Sequence, residues 1–173
     1  MSIWIRKTPS RSISKKKERS FELAEKVVSQ VTFELGQIDQ LFAAYADLLE
    51  RVRQDKPGLI EMTAMASVLH SFYNGIENIF LSIAKGLDQK VPTDSQWHRD
   101  LLVQMTQEMA NRGRVISAEL GQKLAGYLGF RHFYRHSYSF FLEWGEMEKL
   151  VIPLHEVWSQ AKKELCEFLD SLR

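Results

Sequence analysis

Apolar residues in this chain return every third or fourth position almost without interruption, and that spacing confines the fold more than any motif. From Ser20 to Gln54 the series Leu23, Val27, Val31, Leu35, Ile38, Leu41, Tyr45, Leu48 and Val52 keeps one helix face apolar, so one long amphipathic helix is expected. "DKPG" ends it, because Pro57 lacks an amide donor and suits the first turn of a new helix. Leu69, Phe72, Ile76, Ile79, Ile83 and Leu87 mark the second helix, and Asp94 or Ser95 can cap a third through "QWHRDLLVQMTQEM". After the loop "NRGR", Ser117 with Leu120 and Leu124 starts a fourth, which Gly126 and Gly129 weaken near its end. The last runs from about Glu146 to Leu172, with Pro153 kinking it or delaying its start. No stretch alternates with period two for long enough to make a strand, and there is no internal repeat. The expected fold is all-α, an up-and-down bundle of four to five helices over residues 20–173 with mostly antiparallel neighbours.

A chain of 173 residues can bury a real core, and 45% apolar with 26% charged residues is ordinary globular usage. The longest apolar run, "LFAAYA", is far short of a membrane span. The first residues, "MSIWIRKTPSRS", lack the apolar core of a secretory signal, and Cys166 has no partner for a disulfide. A cytoplasmic protein with no membrane partner is therefore expected. The net charge of +1 hides an uneven spread: residues 1–19 carry +6 and the remainder −5. Residues 1–19 read as a basic, flexible arm, and the body lacks the global positive charge of a nucleic-acid binder. Any RNA would have to use a local patch or the arm.

One local patch exists. "GFRHFYRHSYSFFLEW", residues 129–144, gathers Arg131, Arg135, His132, His136, Tyr134 and Tyr138 among Phe and Trp. On a regular helix Arg131 and His136 lie about 140° apart, whereas Arg131 with Arg135, and His132 with His136, share faces. Arg131 and His136 converge only if the backbone is irregular there or a second copy supplies the missing half. Three readings stay open. Phe130, Phe133 and Phe140 pack in the core while the polar groups cap helix ends. Alternatively, His132 and His136 hold a metal with a third ligand from His98, His155 or a carboxylate. Or the arginine fork grips phosphate oxygens while histidine moves protons near neutral pH.

The stretch "RHFYRHSY" has the form Arg-x4-His-x-Tyr and resembles the signature of the HEPN superfamily, more narrowly its HepT-like ribonuclease toxins. "YNGIENIFLSIAK", "WHRDLL", "LGFRHFYRHSY" and "WSQAKKELCEFLDSL" resemble the same family, so the likeness spans about residues 20–173. The resemblance implies a HEPN-like homodimer in which both copies of the motif line one cleft. Arg131 and His136 correspond to its catalytic pair, His132 fills the polar place after the arginine, and Arg135 is a supporting residue. The implied reaction is metal-independent cleavage of RNA, without a cofactor, through attack of the ribose 2′-hydroxyl on the adjacent phosphate. His136 suits the proton transfers and Arg131 the charge that builds on the phosphorane. The resemblance also implies a minimal nucleotidyltransferase antitoxin that attaches AMP to Tyr138, silencing the cleft by bulk and charge. The alternative is a non-catalytic HEPN partner module that binds a nucleotidyltransferase or nucleotide. Tyr73 and Glu77, with Asn74 beside them, are further candidates for lining the cleft. His98 and Arg99 read as capping and pairing residues, His70 and His155 as packing residues, and Trp144 and Trp158 as core or dimer contacts.

Overall fold

Leucine, valine and isoleucine at helical spacing are satisfied in the computed structural model by helices packed around one central member; it describes residues 11–172. The order is α1 (Arg11–Ala44), α2 (Ala46–Gln54), α3 (Leu59–Ile83), α4 (Trp97–Met105), α5 (Ala118–His136), α6 (Trp144–Val151) and α7 (Leu154–Asp170). No strand occurs among the described residues. Only Tyr45 separates α1 from α2, and only Ile152 and Pro153 separate α6 from α7; the bundle has the expected all-α architecture. At Tyr45 the backbone leaves helical angles, yet Leu49 N still donates to Tyr45 O at 2.9 Å. The basic arm expected at residues 1–19 lies outside the described residues as far as Ser10, and from Arg11 onward the chain is already helical.

The central helix is α3. Met65, Ala66, Val68, Leu69, Phe72, Ile76, Ile79 and Ile83 are all sealed from solvent, so it is enclosed on nearly every side, as a helix with little polar surface must be. Gly58 precedes it, and Glu61 turns back to accept a hydrogen bond from Gly58 N at 3.1 Å, satisfying one of the free amides of the first turn. Phe72, Phe42, Tyr127 and Trp158 meet edge to face or stacked at 5.2–6.2 Å, joining α3 to α1, α5 and α7.

Past Ile83 the helix widens into a π turn, Ala84–Asp88. Gly86 lies against α1 there, where a Cβ would come within 2.2 Å of Val27 Cγ2. The widened turn delivers Asp88 into the interior. Arg112, from the expected "NRGR" loop, meets it with Nε and Nη2 each 2.7 Å from a carboxylate oxygen, both side chains fully buried. The same guanidinium donates to the carbonyls of Gln107, Gly113 and Gln104, and Gln104 also donates to Asp88. A buried charge pair with every donor used pins the α4–α5 connection to the end of α3.

Ser117 caps α5, its hydroxyl accepting from Leu120 N at 3.2 Å. Contrary to the expected weakening, α5 runs through Gly126 and Gly129 unbroken to His136. Buried Leu120, Leu124 and Tyr127 hold it against the core, and Tyr127 donates to Leu150 O at 2.8 Å. Burial of one stripe outweighs about 1 kcal/mol per glycine.

Candidate functional site

Since α5 stays regular, its residues sort by face. Leu120, Leu124 and Tyr127 form the buried stripe, and Arg131 is its next member, four residues on from Tyr127. The arginine therefore points at α3. Gln122, Ala125, Gly129, His132 and His136 follow the opposite stripe, and all are exposed. Arg131 is turned toward α3 and largely buried while His136 is exposed, so within one chain they face different ways.

On α3, His70, Asn74 and Glu77 recur at helical spacing and meet the arginine. Arg131 Nε donates to Asn74 Oδ1 at 2.5 Å, and Nη2 donates to Glu77 Oε1 at 3.0 Å. The second oxygen of Glu77 accepts from His98 Nδ1 at 2.5 Å, so one buried carboxylate bridges α5 and α4. The Arg131 side chain is 11% exposed and that of Glu77 7%. Nη1 makes no hydrogen bond among the described residues and is not sealed from solvent. It is the edge of the guanidinium left for an external acceptor.

The network also assigns a tautomer. Asn74 Oδ1 is taken by Arg131, so Nδ2 is the donor toward His70 Nε2, 2.9 Å away. Nε2 must then accept, and the His70 proton sits on Nδ1, which is buried without a partner. Burial first, then the charges of Arg131 and Arg135, lowers the His70 pKa, which agrees with a neutral ring. Tyr134 packs on that ring at 5.2 Å. His70 is thus more than the packing residue expected: it orients the amide that orients the arginine.

The remaining candidates divide cleanly. Tyr73 is buried, and burial, with Glu77 adding to it, pushes its phenol well above the ordinary range. His132 and His136 lie together on the open face, ring centroids 5.1 Å apart. Arg135 is exposed in the same last turn, where cations meet the negative end of the helix dipole. No group of three or more His, Cys, Asp or Glu side chains among the described residues is placed to hold a metal ion. The core reading of the aromatics needs correction. Phe140 is 66% exposed and Phe133 41% exposed, while Phe130 is partly buried against Tyr134. Phe133 is still helical but lies two residues from Arg131, off the buried stripe, whereas Phe140 comes after the chain leaves the helix at Ser137, where that periodicity no longer applies. His155, expected as a packing residue, is exposed with one ring contact to Phe42, whereas Trp158 is core.

A family model for HepT-like proteins matches residues 64–172, well over half of the chain. The chain belongs to the HepT-like family of the HEPN superfamily. Comparison with curated proteins and with solved structures returned no match. The HepT-like match begins inside α3 and contains every residue of the network above, while α1 and α2 lie before it. No helix among the described residues is long and apolar enough to cross a membrane.

Among the tyrosines of this HepT-like chain, Tyr73 and Tyr127 are core, Tyr45 and Tyr134 are half-buried, and Tyr138 stands 72% exposed just past the motif helix. Sequence reasoning missed the parts played by His70, Asn74 and His98. Their signal was present in the spacing of His70, Asn74 and Glu77 on one face of an otherwise apolar helix, a polar stripe that must be satisfied from another element.

Proposed function

We propose that this HepT-like chain is the endoribonuclease toxin of a toxin–antitoxin pair, active as a cytoplasmic homodimer and needing no metal. The observation that carries this reading is the preset motif arginine. Asn74 and Glu77 fix its guanidinium while leaving Nη1 open, in the same helix that presents His132 and His136 to solvent. In the dimer, Arg131 of one copy faces His136 of the other, which overcomes the angular separation along a single helix. The 2′-oxygen of a ribose attacks the neighbouring phosphorus while an imidazole takes its proton. The 5′-oxygen leaves with a proton from a second imidazole, giving a 2′,3′-cyclic phosphate and a 5′-hydroxyl. Arg131 holds the charge on the non-bridging oxygens, and being positioned beforehand it has no reorganisation to undergo in the transition state.

Tyr138 is the proposed acceptor of AMP from a minimal nucleotidyltransferase antitoxin, a role its exposure supports. Adenylate there would bring negative charge and bulk beside Arg135 and His136. A second reading, a non-catalytic partner module that binds a nucleotidyltransferase or nucleotide, draws support from Glu77. Its carboxylate already offsets part of the positive charge a phosphate needs.

The test mixes two inactive chains. Purified protein in EDTA should cut RNA, leave DNA intact, and lose cutting as Arg131→Ala or His136→Ala. Co-assembly of those two variants should restore part of the cutting, because one mixed site is whole. RNA left uncut by the unaltered chain favours the partner module. Restoration failing in verified mixed dimers overturns the shared site. With the nucleotidyltransferase and ATP, the adenylate mass gain should vanish in Tyr138→Phe.

A further inference from the structure

We infer that the ring patch after α5 is a stacking platform for the unpaired bases of single-stranded RNA, which names the substrate class for the nuclease reading and rests on it. Ser137 leaves the helix in an extended conformation, and a short 3₁₀ turn, Ser139–Phe141, turns the following side chains outward. Tyr138, Phe140 and Phe141 are each more than half exposed. The Tyr138 and Phe140 planes are 5° from parallel with centroids 5.4 Å apart, and Phe141 leans on Phe140 at 4.6 Å. Three large neighbouring rings in water are costly to maintain, and such a patch marks a surface that something covers.

Charge identifies the occupant. The chain enters the rings from the last turn of α5, where Arg135 and His136 are exposed, with exposed His132 one turn before them. The next carboxylates, Glu143 and Glu146, come after the rings. A backbone of phosphates tracking the cationic side puts its bases over the ring side. Cations flanking exposed aromatic faces are the general means of gripping single strands, because every base has a π face to stack and an unpaired base has it free. Duplex RNA keeps its base faces stacked on one another and gains nothing from these rings. The platform therefore selects unpaired RNA with little preference among bases, and it sets the scissile phosphate beside His136.

The test uses the full chain and fluorescent 2′-O-methyl oligonucleotides, which have no free 2′-hydroxyl and cannot be cut by the proposed route. One probe is unpaired, and the other is the same sequence annealed to its complement as a blunt-ended duplex. The unaltered protein should prefer the unpaired probe. Phe140→Ala with Phe141→Ala should weaken that binding about tenfold and leave the duplex affinity unchanged, and Phe140→Trp should retain it. Light scattering on the same samples reports assembly. An unchanged affinity in the double variant overturns the platform. A dimer that becomes monomeric in it identifies the rings as a subunit contact and also overturns the platform. Cutting of ordinary RNA is scored separately, so a chain that binds the unpaired probe through its rings yet cuts nothing sinks the nuclease reading and spares this one.

Discussion

Replacing Glu77 by glutamine removes one charge and almost no volume at the point where three helices meet. The carboxylate accepts from Arg131 Nη2 at 3.0 Å and from His98 Nδ1 at 2.5 Å, with the Glu77 and Arg131 side chains 7% and 11% exposed. A hydrogen bond to a charged group contributes roughly 1.5–3 kcal/mol and a neutral one roughly 0.5–1.5. The Arg131 bond keeps its charged donor but loses the opposing charge, and the amide NH2 takes the place of the oxygen that accepts from His98, so that bond survives only with the other imidazole tautomer; it is also partly screened by solvent because the His98 ring is 26% exposed. A loss of about 2 kcal/mol follows, which for a chain of this size lowers Tm by about 4–8 °C. Removal of the whole group in Glu77→Ala strands the Arg131 charge and should destabilise by about 3–5 kcal/mol. The functional consequence differs in kind. Under the proposed chemistry Glu77→Gln leaves more positive charge for the substrate phosphate, so KM for RNA should hold or fall, while kcat should fall because the guanidinium loses its fixed direction. Thermal unfolding followed by circular dichroism, with steady-state cleavage at 25 °C, measures both. A variant that melts with the unaltered chain and keeps its kcat refutes the positioning argument.

Other perturbations test the scaffold. Asp88→Ala leaves Arg112 charged and buried among carbonyls, so denaturant unfolding should show a loss of about 3–5 kcal/mol, and a loss below about 1 kcal/mol contradicts the pin. Gly86→Ala drives a methyl into Val27 and should cost about 1–3 kcal/mol, most of it recovered by adding Val27→Ala. His70 titrates below its ordinary value of 6.5 in the folded chain, so the unfolded chain takes up its proton first as pH falls. Stability from this group is intact above about pH 6.5 and declines as pH drops toward the folded value; His70→Asn should lose that decline in unfolding measured from pH 7.5 to 5, and an unchanged slope refutes the assignment.

What was legible in the sequence is what depends on near neighbours along the chain. The spacing of Leu120 and Leu124 after Ser117 placed the start of α5, whereas the place of Arg131 on its inner face became visible only with a helix that runs unbroken through Gly126 and Gly129. The fault at Tyr45 was not legible, because Leu41, Tyr45 and Leu48 keep their apolar spacing through it. Partners distant in sequence were hidden for a different reason. Nothing local to "NRGR" shows that Arg112 is buried, since its burial depends on Asp88 arriving from a π turn that itself depends on Gly86 fitting against Val27. Phe140 misled because ring identity suggests core, whereas the helix that would have directed it inward ends at His136.

The same sorting by face bears on why a nuclease would be built from two copies. A guanidinium kept at the buried stripe is held by Asn74 and Glu77, which gives it direction but turns it from its own His136. Moving the arginine to the outer stripe would bring it alongside the histidines and lose both anchors. Under the proposed chemistry a single α5 therefore offers either a rigid arginine or an adjacent one. A two-fold partner supplies adjacency without surrendering rigidity, and it makes cutting vanish wherever the dimer does not form. Activity per chain should then fall on dilution through the dimer dissociation constant, whereas stability of the Glu77–Arg131 pair, internal to each bundle, should not change.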